Sequence, residues 1–72
     1  MKVITIETEF IQLQDLLKFA SLVSTGGEAK ILIAEGRASV NGEVCTQRGK
    51  KIRPGDVVRF GGQELTVQYA DQ

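Results

Sequence analysis

The chain has 72 residues, which predicts one compact domain over residues 1–72 and leaves no volume for a deep catalytic cleft, since a domain this small buries only about 60% of its unfolded surface. Its 42% hydrophobic and 25% charged content is that of a folded protein and excludes a disordered one. Nine Lys plus Arg balance nine Asp plus Glu, which excludes a uniformly basic surface, but the balance is uneven along the chain. Residues 48–59 (RGKKIRPGDVVR) sum to +4 and residues 1–35 to −2, a separation that can steer an anionic partner to one face.

In chain order, Lys2–Ile6 (KVITI) is short and rich in β-branched residues and reads as an edge strand. Leu13, Leu16, Leu17 and Ala20 then recur at i, i+3, i+4 and i+7, one face of an amphipathic helix from about Gln12 to Leu22. Thr25-Gly26-Gly27-Glu28 follows. Thr25 is placed to cap a second helix, with Glu28 three residues on reaching back to its N–H, a capping box. Ala29, Leu32 and Ile33 form that helix's buried face, and Gly36 is placed to end it in the left-handed conformation.

From there the pattern changes to short strands. Ala38–Val40 and Glu43–Cys45 flank Asn41-Gly42, a hairpin turn in which both central residues accept positive φ. Residues 46–53 are polar and basic. Pro54-Gly55-Asp56 turns the chain into Val57–Phe60, and Gly61-Gly62 turns it again into a last alternating strand, Glu64 to Tyr69. The expected fold is α+β, two packed helices against a small antiparallel sheet of four to five short strands.

The chemistry the chain lacks narrows its function. There is no His, so neither a Ser–His–Asp nor a Cys–His set can be assembled, no paired carboxylates stand out, and an enzyme is not expected. A single cysteine, Cys45, makes no disulfide within the chain, and soft metal ligands are missing. No apolar run reaches the roughly 18–20 residues of a membrane span. The expectation is a cytoplasmic monomer with no catalytic residues, metal, cofactor or membrane contact. A small sulfur carrier would want Gly-Gly at its extreme C-terminus, whereas Gly61-Gly62 is internal.

The stretch LLKFASLVSTGGEAKILIAEGRASVNGEVCTQRGKKIRPGDVVRF, about Ile11 to Phe60, resembles the alpha-L RNA-binding motif, the S-four-like domain. The order helix, turn, helix, Gly, then V-N-G-E and a late P-G-D-V-V carries the resemblance. T-G-G-E-A-K and R-G-K-K look more specifically like the small stand-alone bacterial members of the YbcJ/YaaA-like kind. The resemblance implies that the two helices and the turn after them form a face that docks on structured RNA, including ribosomal RNA or a ribosome assembly intermediate.

On that basis the candidate RNA-binding residues are Lys18, Thr25, Gly26, Gly27, Lys30, Arg37, Arg48, Lys50, Lys51 and Arg53. Arg48, Lys50, Lys51 and Arg53 put four cations in six residues, which repel one another unless they meet an anion. Lys30 lies about 100° from the buried centre of its helix and Lys18 about 150° from that of the first, so both reach solvent. Gly26 and Gly27 serve either a tight turn that needs small residues or a close approach of phosphate to free N–H groups. Arg37 sits in the helix-to-strand turn where the motif often contacts RNA. Residues 48–53 are expected beside the start of the second helix, as one wall of a composite site. Ile31 points away from the buried face and is expected to pack on the N-terminal strand or the tail.

Many family members carry an Arg where this chain has Gly26 and Gly27, and many are strongly basic overall. The neutral charge of this chain implies a modest, salt-sensitive affinity. The alternative is a protein-interaction adaptor that kept the fold and has little RNA affinity. Phe10, Phe19, Phe60 and Tyr69 are scattered and make no stacking platform for single strands.

Overall fold

The computed structural model describes residues 1–70. Nine elements follow in order: β1 Lys2–Ile6, β2 Ile11–Gln12, α1 Leu13–Phe19, α2 Gly26–Ala34, β3 Ala38–Val40, β4 Glu43–Val44, β5 Lys51–Ile52, β6 Val57–Phe60 and β7 Gln63–Tyr69. Two helices pack on one face of a five-stranded sheet of order β1-β7-β6-β3-β4, and β2 and β5 form a separate two-stranded ladder. The class is α+β, as expected. The sheet is mixed, however, because β1 runs parallel to β7 with Ile4 opposite Val67. A parallel pair needs a long crossover, and here the crossover is nearly the whole domain.

Period-two alternation builds the inner face of the sheet. Ile4, Ile6, Ala38, Val40, Val58, Phe60, Leu65 and Val67 are buried while their strand neighbours are half-buried or exposed. Leu13, Leu16, Leu17 and Ala20 of the first helical segment, with Ala29 and Ile33 of the second, close the same core. Leu32 is only half-buried. Ile31 departs from expectation. It stays 60% exposed, because nothing in the N-terminal strand reaches the outer side of α2.

The helix ends follow local chemistry. The α1 helix is shorter than its periodicity suggests. It stops at Phe19 because Ser21 turns left-handed (φ 61°), with Ser21 N–H donating to the Lys18 carbonyl and Leu22 N–H to the Leu17 carbonyl. Lys2 Nζ donates to the Ala20 carbonyl (3.1 Å), placing a cation at the negative end of the helix. Gly36 (φ 80°) ends α2 in the matching motif, with Arg37 N–H on the Leu32 carbonyl and Gly36 N–H on that of Ile33. Asn41 (φ 51°) and Gly42 (φ 88°) make the expected tight hairpin turn. No helix among the described residues is long and apolar enough to cross a membrane.

Candidate functional site

Two helix starts organise the polar surface. The first is that of α1, whose N-cap, Gln12, makes no side-chain capping bond. Its opening N–H groups are taken instead by the basic loop: Leu13 N–H donates to the Lys50 carbonyl (2.9 Å) and Gln14 N–H to the Arg48 carbonyl (3.0 Å). The ladder of Ile11 on Ile52 and Gln12 on Lys51 extends this seam, and Ile52 is fully buried beneath it. The loop's backbone is therefore fixed while its charges point out. This corrects the placement expected from the sequence. The loop is anchored to the start of the first helix, and among the described residues no backbone hydrogen bond joins it to the second.

Arg48, Lys50, Lys51 and Arg53 are all exposed, and among the described residues none of them is in an ion pair. Phe10 partly orders them. Lys51 Nζ lies 4.9 Å from its ring centroid and the Arg53 guanidinium carbon 5.8 Å, within the range of a cation–π contact. Sequence reading missed this role because Phe10 lies some forty residues from its partners and shows no local signal. Asp56, the one acid in the segment, is occupied by backbone and amide donors. Its carboxylate accepts from Arg53 N–H (2.9 Å) and Asn41 Nδ2 (3.1 Å), while Asn41 Oδ1 accepts from Val57 N–H (2.9 Å). Lys50, Lys51 and Arg53 form one wall of an open groove of about 500 Å³, with the β3–β4 hairpin as the other.

The second start is that of α2. Thr25 caps it as expected, its hydroxyl accepting from Glu28 N–H (3.1 Å). The Glu28 carboxylate reaches back one residue further than expected, to Ser24 N–H (2.6 Å). Ala29 N–H is the first to bond within the helix, to the Thr25 carbonyl. Gly26 and Gly27 therefore present the two opening N–H groups of the helix.

Neither glycine is required by the turn. Neither has a positive φ, and an added Cβ would meet nothing closer than Lys18 Nζ (4.0 Å) at Gly26 or Thr25 Oγ1 (3.8 Å) at Gly27. The reading that the turn demands small residues thus loses its physical basis.

The same contact puts the Lys18 ammonium over this helix start, although Lys18 also pairs with Asp15 (3.5 Å). Lys30 is exposed one turn further along α2. Arg37 is set apart from both groups. It lies past the far end of α2, about 15 Å of helix from Gly26, paired with Glu35 (3.5 Å). There it lines a shallow pocket with Arg59 and Gly61-Gly62.

A fold of two helices on one face of a small sheet, with exposed cations gathered at one helix start, defines the class. Residues 4–68 match the model of the S4 domain, and the chain belongs to that family. Its relatives include the probable ribosome maturation protein RlbA of Bacillus subtilis, 42% identical over 59 residues, 82% of this chain and 83% of that one. The putative RNA-binding protein YbcJ of Escherichia coli is 42% identical over 57 residues, covering 79% and 81%. The solution structure of YbcJ, described as revealing an alpha-L motif involved in RNA-binding, superposes with a TM-score of 0.73 at 36% identity over 94% of this chain and 87% of that one. The 30S ribosomal protein S4e of Thermoplasma acidophilum shares the fold alone (TM-score 0.68, 23% identity, 92% of this chain and 35% of that one).

Proposed function

We propose that this chain is a non-catalytic RNA-binding protein, a single domain that acts as a cytoplasmic monomer and docks on structured RNA, such as ribosomal RNA or a ribosome assembly intermediate. The observation that carries the reading is the basic loop. Four exposed cations stand within six residues without an ion pair among the described residues, on a backbone pinned to α1. Holding like charges in a fixed array costs Coulomb energy that an anionic partner recovers. The open N–H groups of Gly26 and Gly27, with Lys18 and Lys30 beside them, offer a second phosphate contact at a positive helix end. The names of RlbA and YbcJ point the same way.

Phosphate contacts make binding depend on salt. About five contacts give a log–log slope of magnitude about 3–5. Fluorescence anisotropy of a labelled ribosomal RNA hairpin at increasing KCl measures it, and a flat response overturns the reading.

One observation favours the adaptor as a second reading. Phe19 is 65% exposed in an apolar cleft with Ile11, Glu7 and Asp15 that shares no residue with the basic groove. Ribosome association that survives charge reversal of the loop would support that reading instead.

A further inference from the structure

We infer that the groove between the β3–β4 hairpin and the basic loop holds a single unpaired guanosine nucleotide of the bound RNA, with Glu43 reading its base. The inference rests on the RNA-binding reading above and names what that site selects. At about 500 Å³ the groove has the size of a small-molecule site. That is room for one nucleotide.

Its two walls differ in chemistry. Lys50, Lys51 and Arg53 on one side suit a phosphate. On the other side the hairpin brings Val40, Glu43 and Cys45 to the groove, while the exposed Val44, next along β4, also lines the pocket beside Arg37. Glu43 stands beside Val44 on β4, the edge strand of the sheet, and is reached from outside without displacing any other strand.

Two carboxylates line the groove, and they are not equivalent. Asp56 is occupied by Arg53 N–H and Asn41 Nδ2. Glu43, among the described residues, has neither a side-chain hydrogen bond nor an ion pair, although three cations line the same groove. An unengaged carboxylate there repels the phosphates that the loop attracts. It weakens RNA binding unless it meets donors of its own.

A carboxylate only accepts, and its two oxygens match two parallel N–H donors. The Watson–Crick edge of guanine presents such a pair, N1–H and N2–H. Adenine and cytosine set an acceptor beside their single amino group, and uracil flanks N3–H with two carbonyls, so each turns a lone pair toward the carboxylate. That edge is accessible only when the base is unpaired. The tight turn at Asn41-Gly42 and the pairing of Val40 with Glu43 fix the backbone from which the Glu43 carboxylate extends.

The substitution Glu43→Gln separates this role from simple repulsion, because the two give opposite signs. The probes are hairpins of one stem carrying a single bulged G, A, C or U, and the same stem fully paired. Under the inference the wild type prefers the bulged G by about ten-fold, and E43Q loses that preference while binding the paired stem no worse. Equal affinity for the four bulges, or an E43Q gain on all of them, overturns it. The paired stem reports the basic face alone, so its failure to bind condemns the RNA reading, whereas its binding with no bulge preference condemns only the guanosine site. A second readout is the Cys45 thiol, which lines the groove half-buried. Its alkylation by N-ethylmaleimide should be slowed by the bulged-G hairpin and not by the others, and equal protection by all four counts against the inference.

Discussion

The two helix starts use the same resource in opposite ways. Each opens with N–H groups that the helix itself cannot satisfy. At α1 they are spent inside the molecule, on the Lys50 and Arg48 carbonyls, and what this secures is the position of four cations. At α2 the threonine cap satisfies the third N–H, and the first two, on Gly26 and Gly27, face outward beside Lys18. One start builds the scaffold of the proposed interface, and the other is part of the interface. Substitutions that break the α1 seam should therefore act first on stability, and those at Gly26 and Gly27 of α2 first on binding.

The largest expected effect breaks the scaffold. Ile52 is fully buried at the seam between the loop and α1, and Ile52→Ala should cost about 2–5 kcal/mol in urea denaturation. Next comes the charge the scaffold carries. The triple change Arg48→Glu, Lys50→Glu, Lys51→Glu should leave the denaturation midpoint nearly unchanged, because carbonyls and not these side chains hold the seam. RNA affinity by anisotropy should fall by about 100-fold or more as at least three phosphate contacts turn repulsive. Equal losses of stability and binding would mean that the side chains themselves are structural.

Thr25→Ala removes the α2 cap and should lower stability by about 1 kcal/mol. The smallest change gives the sharpest contrast. Gly26→Ala and Gly27→Ala meet only ordinary contacts and no positive φ, so each should stabilise the fold by about 0.4–1 kcal/mol. The same methyl groups stand where a phosphate would approach, and RNA binding should weaken. A gain in both would return the glycines to chance.

Much of the local structure was legible in the sequence because its causes are local. Leu13, Leu16, Leu17 and Ala20 announce a helix face, Thr25 its successor's cap, Gly36 that helix's end, and Asn41-Gly42 a hairpin, each within a few residues of its own evidence. Ser21 was not read as a stop, since a serine seldom takes positive φ and carries no signal that it will. Ile31 reads as covered because apolar residues usually are, and only the packing shows that among the described residues no other element buries it; the end of the tail, 71–72, lies outside the described residues.

The candidate residues themselves are side chains whose type and exposure the sequence conveys. Their grouping is not conveyed. The parallel pairing of β1 with β7, the docking of Arg48 and Lys50 carbonyls on α1, the stacking of Lys51 and Arg53 on Phe10 and the separation of Arg37 from the rest join residues tens of positions apart. Propensity, periodicity and charge act over a few residues, and they suffice for most of the elements, the α2 cap and the sign of the 48–53 segment, but not for the short β2–β5 ladder, whose strands pair across some forty residues. Which helix start holds that segment depends on where the burial of Ile52 brings the chain back, a contact between residues far apart in the chain.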